Sequence, residues 1–279
     1  MVYKTIVAVL QDEDDAARAL DVAVAYAQKS DAHLIGVHAE ALPVPIASPM
    51  GFPDAALMGA EEDMSRERAA RLETLFSQRM KRERVSWEWR SMYSFSGDSA
   101  LSALESARCG DLVVAGQVDP EKGAAGSPDI ETLIQGAGRP VLVVPWRGTA
   151  TTSAKRIVLA WNGSRQAARA AFDALALIVQ ADETTILSVD PVASPGAQGA
   201  LPGTEIAAAL ARHGARVTVE NRSSGDRSVA EIIAQTVTDK GADLLVLGAF
   251  SHSRLKEMFF GGTTRTTIEN PPCLTLLAR

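Results

Sequence analysis

The sequence predicts an α/β protein of two repeated doubly wound domains, each an open five-stranded parallel sheet with helices on both faces. Short apolar runs alternate with longer segments of helical period, the pattern of parallel strands joined by helical crossovers. The closing strands also occur twice, because residues 111–116 align without a gap with 243–248, and residues 139–144 with 271–276. This repeat predicts two copies of one domain, at residues 1–147 and 155–279.

The first copy follows the order strand, helix, strand along its whole length. The acidic residues 12–15 precede the first helix and predict a capped helix start. Trp87 and Trp89 lie on the same side of a strand, and packing is favoured over a stacking platform. The predicted strands are 5–10, 34–38, 85–93, 112–115 and 141–144, and the predicted helices are 16–27, 61–81 and 98–107.

A connection of unusual length, residues 40–59, interrupts this order. Three interpretations stay open for it: a lid, a contact surface or a mobile insert. A small polar linker, residues 147–154, then leads into the second copy. There the predicted strands are 157–161, 185–189, 216–220, 244–247 and 273–276, and the predicted helices include 166–179 and 205–213.

The composition excludes several classes of protein. The chain of 279 residues is 46% apolar and 22% charged, with a net charge of −6 and no basic stripe, so nucleic acid is not an expected partner. No apolar run is long enough to span a bilayer, so no membrane association is expected. Two cysteines, Cys109 and Cys273, have no ligand-like spacing to the four histidines. We therefore expect no metal site, no disulfide and a cytoplasmic location.

The segment 243–264 of the second copy carries the strongest candidate site. Its strand breaks at Gly248, and a helix opens at Gly261, Gly262, Thr263 and Thr264. Glycines allow close backbone approach, and the free N–H groups of a helix start favour an anion. The same residues could also be only a helix cap, an alternative that stays open. Ligands of doubly wound sheets bind beyond the carboxyl ends of the strands, which places Ala160, Trp161, Asn162, Ser164, Val189 and Leu247 at the same edge.

The corresponding helix start of the first copy has a different chemistry. Residues 127–131 read Ser-Pro-Asp-Ile-Glu, a self-capped start with carboxylates in its first turn. Those carboxylates would occupy or repel the position of a phosphate. Only the second copy is therefore predicted to bind an anionic ligand.

The combination of these motifs resembles the universal stress protein family. The resemblance rests on Gly248-Ala249-Phe250-Ser251, nine residues, Gly261-Gly262-Thr263-Thr264, a helix, then Pro-Cys and a strand. It covers nearly the whole chain and is greatest with tandem two-domain members. It implies an adenine nucleotide α-hydrolase-like fold, a stress-response or signalling role, and pairing of the two domains through their last strands, with a homodimer as a further assembly.

The resemblance also implies roles for individual residues. Asn162 stands where the family commonly has an aspartate beside the base and ribose, and Val189 would pack on the base. Gly248, Ser251 and Arg254 would approach the phosphates, as would the residues from Gly261 to Thr264. His252 is interpreted as a loop residue near the ligand, because no nucleophile is paired with it as a catalytic base would be. Trp161 is interpreted either as a stacking partner of the base or as a packing residue.

The expected ligand is ATP or another adenine nucleotide, with Mg²⁺ as a candidate companion ion. No catalytic residue is predicted, since the sequence has no metal cluster, Walker loop or general base, and at most slow ATP hydrolysis is expected. Two alternatives remain from the sequence. One is a structural or partner-binding module without a nucleotide, and the other is an enzyme of the adenylyltransferase type.

Overall fold

The computed structural model describes residues 2–41, 55–94, 99–117, 119, 130–148, 151–191, 201–250 and 262–279. Contacts separate the chain into two compact units, Tyr3–Ala137 and Gly138–Arg279. Both are built from parallel strands and helices, which confirms the predicted α/β class. The strand at residues 141–144 belongs by its contacts to the second unit, and the domain limits at 147 and 155 stay a prediction.

The N-terminal unit has four parallel strands in the order β3-β2-β1-β4. At the carboxyl end of β1, Val9 lies between Val37 of β2 and Ala115 of β4. Three strand ends therefore meet at one edge of this sheet. The elements are β1 (Thr5–Val9), α1 (Glu13–Ser30), β2 (His33–Ala41), α2 (Ala55–Met80), β3 (Trp87–Ser94), α3 (Ser99–Arg108), β4 (Leu112–Gly116) and α4 (Ile130–Gly136).

The C-terminal unit has five parallel strands in the order β10-β9-β6-β7-β8, and β5 pairs antiparallel with β10. The five parallel strands are those the sequence predicts for the second copy. The elements are β5 (Val141–Val144), β6 (Arg156–Ala160), α5 (Arg165–Asp173), α6 (Leu175–Gln180), β7 (Glu183–Val189), α7 (Thr204–Arg212), β8 (Val217–Arg222), α8 (Val229–Lys240), β9 (Leu244–Gly248), α9 (Gly262–Glu269) and β10 (Leu274–Ala278).

Two predicted segments differ from the structure. The predicted single helix 166–179 is two helices, α5 and α6, because the chain turns at Ala174, where the Leu177 N–H donates to the Ala174 carbonyl three residues back instead of four. The helix predicted to start at residue 61 begins at Ala55, and β2 continues to Ala41. The connection 40–59 is therefore shorter at both ends than predicted, and residues 42–54 lie outside the described residues.

The two tryptophans of β3 pack against the helix α2. The ring of Phe76 lies 5.6 Å from that of Trp87 and 5.3 Å from that of Trp89, between ring centroids. Opposite them, a β-carbon at Gly36 would lie only 2.6 Å from the Phe76 ring, so glycine is needed for this helix to reach the sheet. The packing interpretation of both tryptophans is confirmed.

An aspartate before the fourth strand fixes the first strand in both units. Asp111 accepts hydrogen bonds from the backbone N–H groups of Lys4 and Thr5, at 2.7 and 3.0 Å. Asp243 accepts from those of Lys155 and Arg156, at 3.1 and 2.9 Å. The same interaction therefore sets the register of the central strands in each sheet.

Both cysteines are free thiols. Within the described part of the chain, no helix combines the length and apolar composition needed to cross a bilayer. Across those same residues, no three histidine, cysteine or acidic side chains are grouped so that they could hold a metal ion.

Candidate functional site

The carboxyl ends of β9, β6 and β7 lie side by side in the C-terminal unit. Ala160, the last residue of β6, pairs in register with Leu247 of β9 and with Leu187 of β7. Ala160 and Leu247 are buried, and Trp161, which follows directly, is half-buried and donates its N–H to the Leu187 carbonyl at 2.8 Å. The structure therefore brings the predicted strand-end residues together at one edge of the sheet.

The turn from β6 into α5 is ordered by two side-chain hydrogen bonds. The Asn162 Oδ1 accepts from the Ser164 N–H at 3.1 Å, and Gly163 between them has a positive φ of 71°. The Ser164 hydroxyl in turn accepts from the Ala167 N–H at 3.1 Å, which makes Ser164 the N-cap of α5. No acidic side chain lies in the first turn of α5. The helix itself therefore places no carboxylate beside the remaining N–H groups of this turn.

Gly248, at the end of β9, allows an unusually close contact with the same helix start. A β-carbon at this position would lie 2.4 Å from the backbone nitrogen of Ala167 and 2.5 Å from the carbonyl carbon of Gln166. Real β-carbons essentially never come so close. Glycine at residue 248 is therefore required so that β9 and the start of α5 can meet, a role that precedes any contact with a ligand.

The start of α9 is tied to the end of β9. After Gly248 the chain adopts a left-handed conformation at Phe250, whose N–H donates to the Thr264 hydroxyl at 3.3 Å. Thr264 is buried, Thr263 half-buried and Gly262 exposed, and no acidic side chain lies in the first turn of α9. Thr264 thus has an anchoring contact that the sequence does not reveal, and Gly262 and Thr263 are the more accessible residues.

Four of the predicted ligand contacts, Ser251, His252, Arg254 and Gly261, lie outside the described residues. Their roles stay a prediction. The described members of the predicted site are Ala160, Trp161, Asn162, Ser164, Val189, Leu247, Gly248, Gly262, Thr263 and Thr264.

Asp190 follows Val189 at the end of β7; the sequence places it at this edge of the sheet but gives it no role. It has a positive φ of 45°, and its Oδ1 accepts from the Ser224 N–H at 3.0 Å and from the Ser223 hydroxyl at 3.2 Å. Hydrogen bonds from the side chain and backbone of Ser224, and then from Ser223, lower the pKa of Asp190. The available signal was an acidic residue directly after a predicted strand in the copy assigned a ligand.

The same edge of the N-terminal unit is occupied by the protein's own charges. Asp12 caps α1 by accepting from the N–H groups of Asp14 and Asp15, at 2.8 and 3.3 Å, and three acidic side chains lie in the first turn. Gly116 occupies the position that Gly248 has in the other unit, and a β-carbon there would lie 3.2 Å from the β-carbon of Asp15. Asp15 is buried and forms an ion pair with Arg18. The charge at this helix start is the opposite of what an anion requires.

A second group of buried polar side chains lies near the carboxyl end of β2. The Nδ1 of His38 lies 2.9 Å from the carbonyl of Leu10, and its Nε2 lies 2.8 Å from the Glu40 carboxylate. Arg68 donates to the other oxygen of Glu40 at 2.6 Å. His38 and Glu40 are both buried. This network lies at the position in the N-terminal unit that corresponds to Val189 and Asp190 at the end of β7 in the C-terminal unit.

Comparisons with known proteins agree with this architecture. The model of the Universal stress protein family matches residues 153–279. Among curated proteins, none is significantly similar to the chain in sequence.

Solved structures match over almost the whole chain and share its fold. A universal stress protein from Archaeoglobus fulgidus DSM 4304 has a TM-score of 0.71 at 13% identity, covering 99% of this chain and 96% of that one. A protein of unknown function from Pseudomonas aeruginosa PAO1 has a TM-score of 0.56 at 17% identity, covering 99% and 92%. A candidate universal stress protein from Pseudomonas aeruginosa UCBPP-PA14 has a TM-score of 0.55 at 18% identity, covering 99% and 93%. Residues 153–279 thus form a domain of the universal stress protein family, and the whole chain shares the fold of these solved structures.

Proposed function

We propose that the C-terminal unit binds an adenine nucleotide, ATP first among them, and that this binding serves a stress-response or signalling role. One observation carries the proposal. The starts of α5 and α9 both contact the end of β9, through Gly248 and through the hydrogen bond from Phe250 to Thr264. Two helix starts without acidic side chains, and two helix dipoles directed at this region, favour a bound phosphate chain.

The absence of acidic residues at both helix starts supports the same conclusion. The first turns of α5 and α9 contain no acidic side chain, whereas the first turn of α1 contains three and that of α4 contains Glu131. By sequence alignment Glu131 corresponds to Thr263. We therefore propose that the nucleotide binds the C-terminal unit and not the N-terminal one. Mg²⁺ would accompany the phosphates as their counter-ion.

The decisive variant is Gly262→Asp. Gly262 is exposed, and a β-carbon there would have only an ordinary contact, 3.6 Å from the Thr266 hydroxyl. An aspartate at a helix start favours the helix dipole, so the variant should fold at least as stably as the parent. The same carboxylate should repel the phosphates and weaken ATP binding by about tenfold or more.

Isothermal titration of the full chain with ATP and Mg²⁺ measures this effect, and Gly262→Asn is the neutral control. We expect saturable binding by the parent and the control and weakened binding by the aspartate variant. Equal ATP affinity in all three proteins would refute the phosphate assignment and leave α9 as a simply capped helix. No heat with millimolar ATP would favour the partner-binding alternative. Phosphate or pyrophosphate release in the same mixtures would separate hydrolysis or nucleotidyl transfer from binding alone.

A further inference from the structure

Asp190 is held in one conformation by its neighbours on β8. Its N–H donates to the Arg222 carbonyl at 2.9 Å, and its Oδ1 accepts from Ser223 and Ser224. Its backbone has a left-handed φ of 45°, which few residue types other than Gly, Asn and Asp adopt readily. The carboxylate is therefore positioned before any ligand arrives.

The carboxylate also has acceptor capacity left. Hydrogen bonds from Ser224 and Ser223 lower its pKa, so it is ionised at neutral pH and acts only as an acceptor. A carboxylate has about four acceptor positions, and its described partners are the Ser223 hydroxyl together with the side chain and backbone N–H of Ser224. The residue is exposed to solvent. The Asp190 carboxylate can therefore accept a further hydrogen bond from a donor on a ligand.

The strand order indicates which part of a nucleotide would supply that donor. The strands lie in the order β9, β6, β7, with neighbours about 4.8 Å apart. Phosphates at β9 and α9 place the sugar, which lies between phosphate and base in every nucleotide, over the end of β6. The base then lies over the end of β7, beside Val189 and Asp190.

We infer that Asp190 is a specificity-determining residue that accepts a hydrogen bond from an exocyclic amino group of the base. The site would therefore prefer adenine, which carries this amino group, to hypoxanthine, which carries a carbonyl oxygen in its place. This inference rests on the proposed function of the same site. It assigns to Asp190 a role in ligand selection in addition to its hydrogen bonds with Ser223 and Ser224.

The variant Asp190→Asn separates these two roles. Asparagine adopts a left-handed φ and keeps a carbonyl oxygen that can accept from Ser223 and Ser224. It replaces the other oxygen with an amino donor, which opposes the adenine amino group and matches the hypoxanthine carbonyl. Titrations with ATP and ITP should show the parent favouring ATP by about tenfold or more. The variant should lose or invert this ratio, whereas a purely structural role would change both affinities equally.

Asp182→Asn is the matched control, because Asp182 is an exposed aspartate just before the amino end of β7. It should keep the ATP-to-ITP ratio of the parent. Equal affinity of the parent for ATP and ITP, or an unchanged ratio in Asp190→Asn, would overturn the inference and leave the proposed function standing. If Asp190→Asn instead changes the ratio of the affinities for ATP and 2′-deoxy-ATP, the inference would be overturned in favour of sugar recognition. A parent that binds neither ATP nor ITP would overturn the proposed function together with the inference.

Discussion

Replacing Gly248 with alanine should force β9 away from the start of α5. The new β-carbon would lie 2.4 Å from the Ala167 nitrogen and 2.5 Å from the Gln166 carbonyl carbon, whereas ordinary contacts begin at 3.4 Å. Backbone atoms must therefore move by about 1 Å, because no flexible side chain can give way. Overpacking of this kind costs about 1–3 kcal/mol, or roughly 2–12 °C in Tm for a unit of this size. The same movement would separate the two helix starts and weaken ATP binding.

Thermal unfolding followed by circular dichroism, with and without ATP, measures both effects. Gly116→Ala in the N-terminal unit is the matched control, because its β-carbon would meet the β-carbon of Asp15 at 3.2 Å and needs only a few tenths of an ångström. We expect a clear loss of Tm and of ATP affinity for Gly248→Ala, and a small loss of Tm with unchanged ATP affinity for Gly116→Ala. A Gly248→Ala protein with the parent's Tm and affinity would refute the close-packing argument.

Two further predictions concern buried groups. Glu40→Ala should lower the free energy of unfolding, measured in urea, by about 3–5 kcal/mol, because it leaves His38 and Arg68 without their shared buried carboxylate. The control Glu62→Ala, which removes an exposed ion-pair partner on α2, should cost less than about 1 kcal/mol. Equal losses in the two variants would contradict the burial argument. Burial raises the pKa of the Cys273 thiol to about 12. At pH 8, iodoacetamide should therefore alkylate the exposed Cys109 in the native protein and Cys273 only after unfolding. Rapid labelling of both thiols in the native protein would show that the Cys273 thiol is not buried.

Local patterns in the sequence were sufficient to predict the positions of the strands and the start of the first helix. Buried parallel strands appear as continuous apolar runs, and the capping residues are within three positions of the N–H groups they bind, so both signals are readable along the chain. Asp12 caps the helix that follows it, as predicted, whereas Ser164 was predicted only as a ligand contact and proves to cap α5 as well. The turn at Asn162 and Gly163 is readable for the same reason.

Interactions across the fold could not be predicted in this way. Glu40 and Arg68 come together only because α2 packs on β2, and their 28-residue separation carries no local signal. Residue 40 was expected in a connection, whereas it is the second-last residue of β2 and is buried. Gly248 was predicted as a point of approach to a ligand, yet its first requirement is contact with the backbone of α5. The sequence identified Gly248 as a special position, but only the tertiary structure shows why a glycine is required there.

Under the proposed function, charge would decide, more than backbone shape, which of the two units accepts an anion. Both units have a glycine at the end of the fourth strand of the repeat, Gly116 or Gly248, against the start of their first helix. This part of a phosphate cradle, the contact between a strand-end glycine and the first helix, is therefore present in both units. In the N-terminal unit, however, Asp15 lies at that contact, buried and already paired with Arg18.

An anion entering the N-terminal unit would have to disturb a partly buried ion pair and approach the other carboxylates of α1, which is unfavourable. In the C-terminal unit the corresponding contact is with Ala167, whose N–H is satisfied by Ser164, and no charge has to be displaced. A nucleotide confined to one unit is the expected result of these charges. The two cradles need not differ in backbone geometry for the preference to arise.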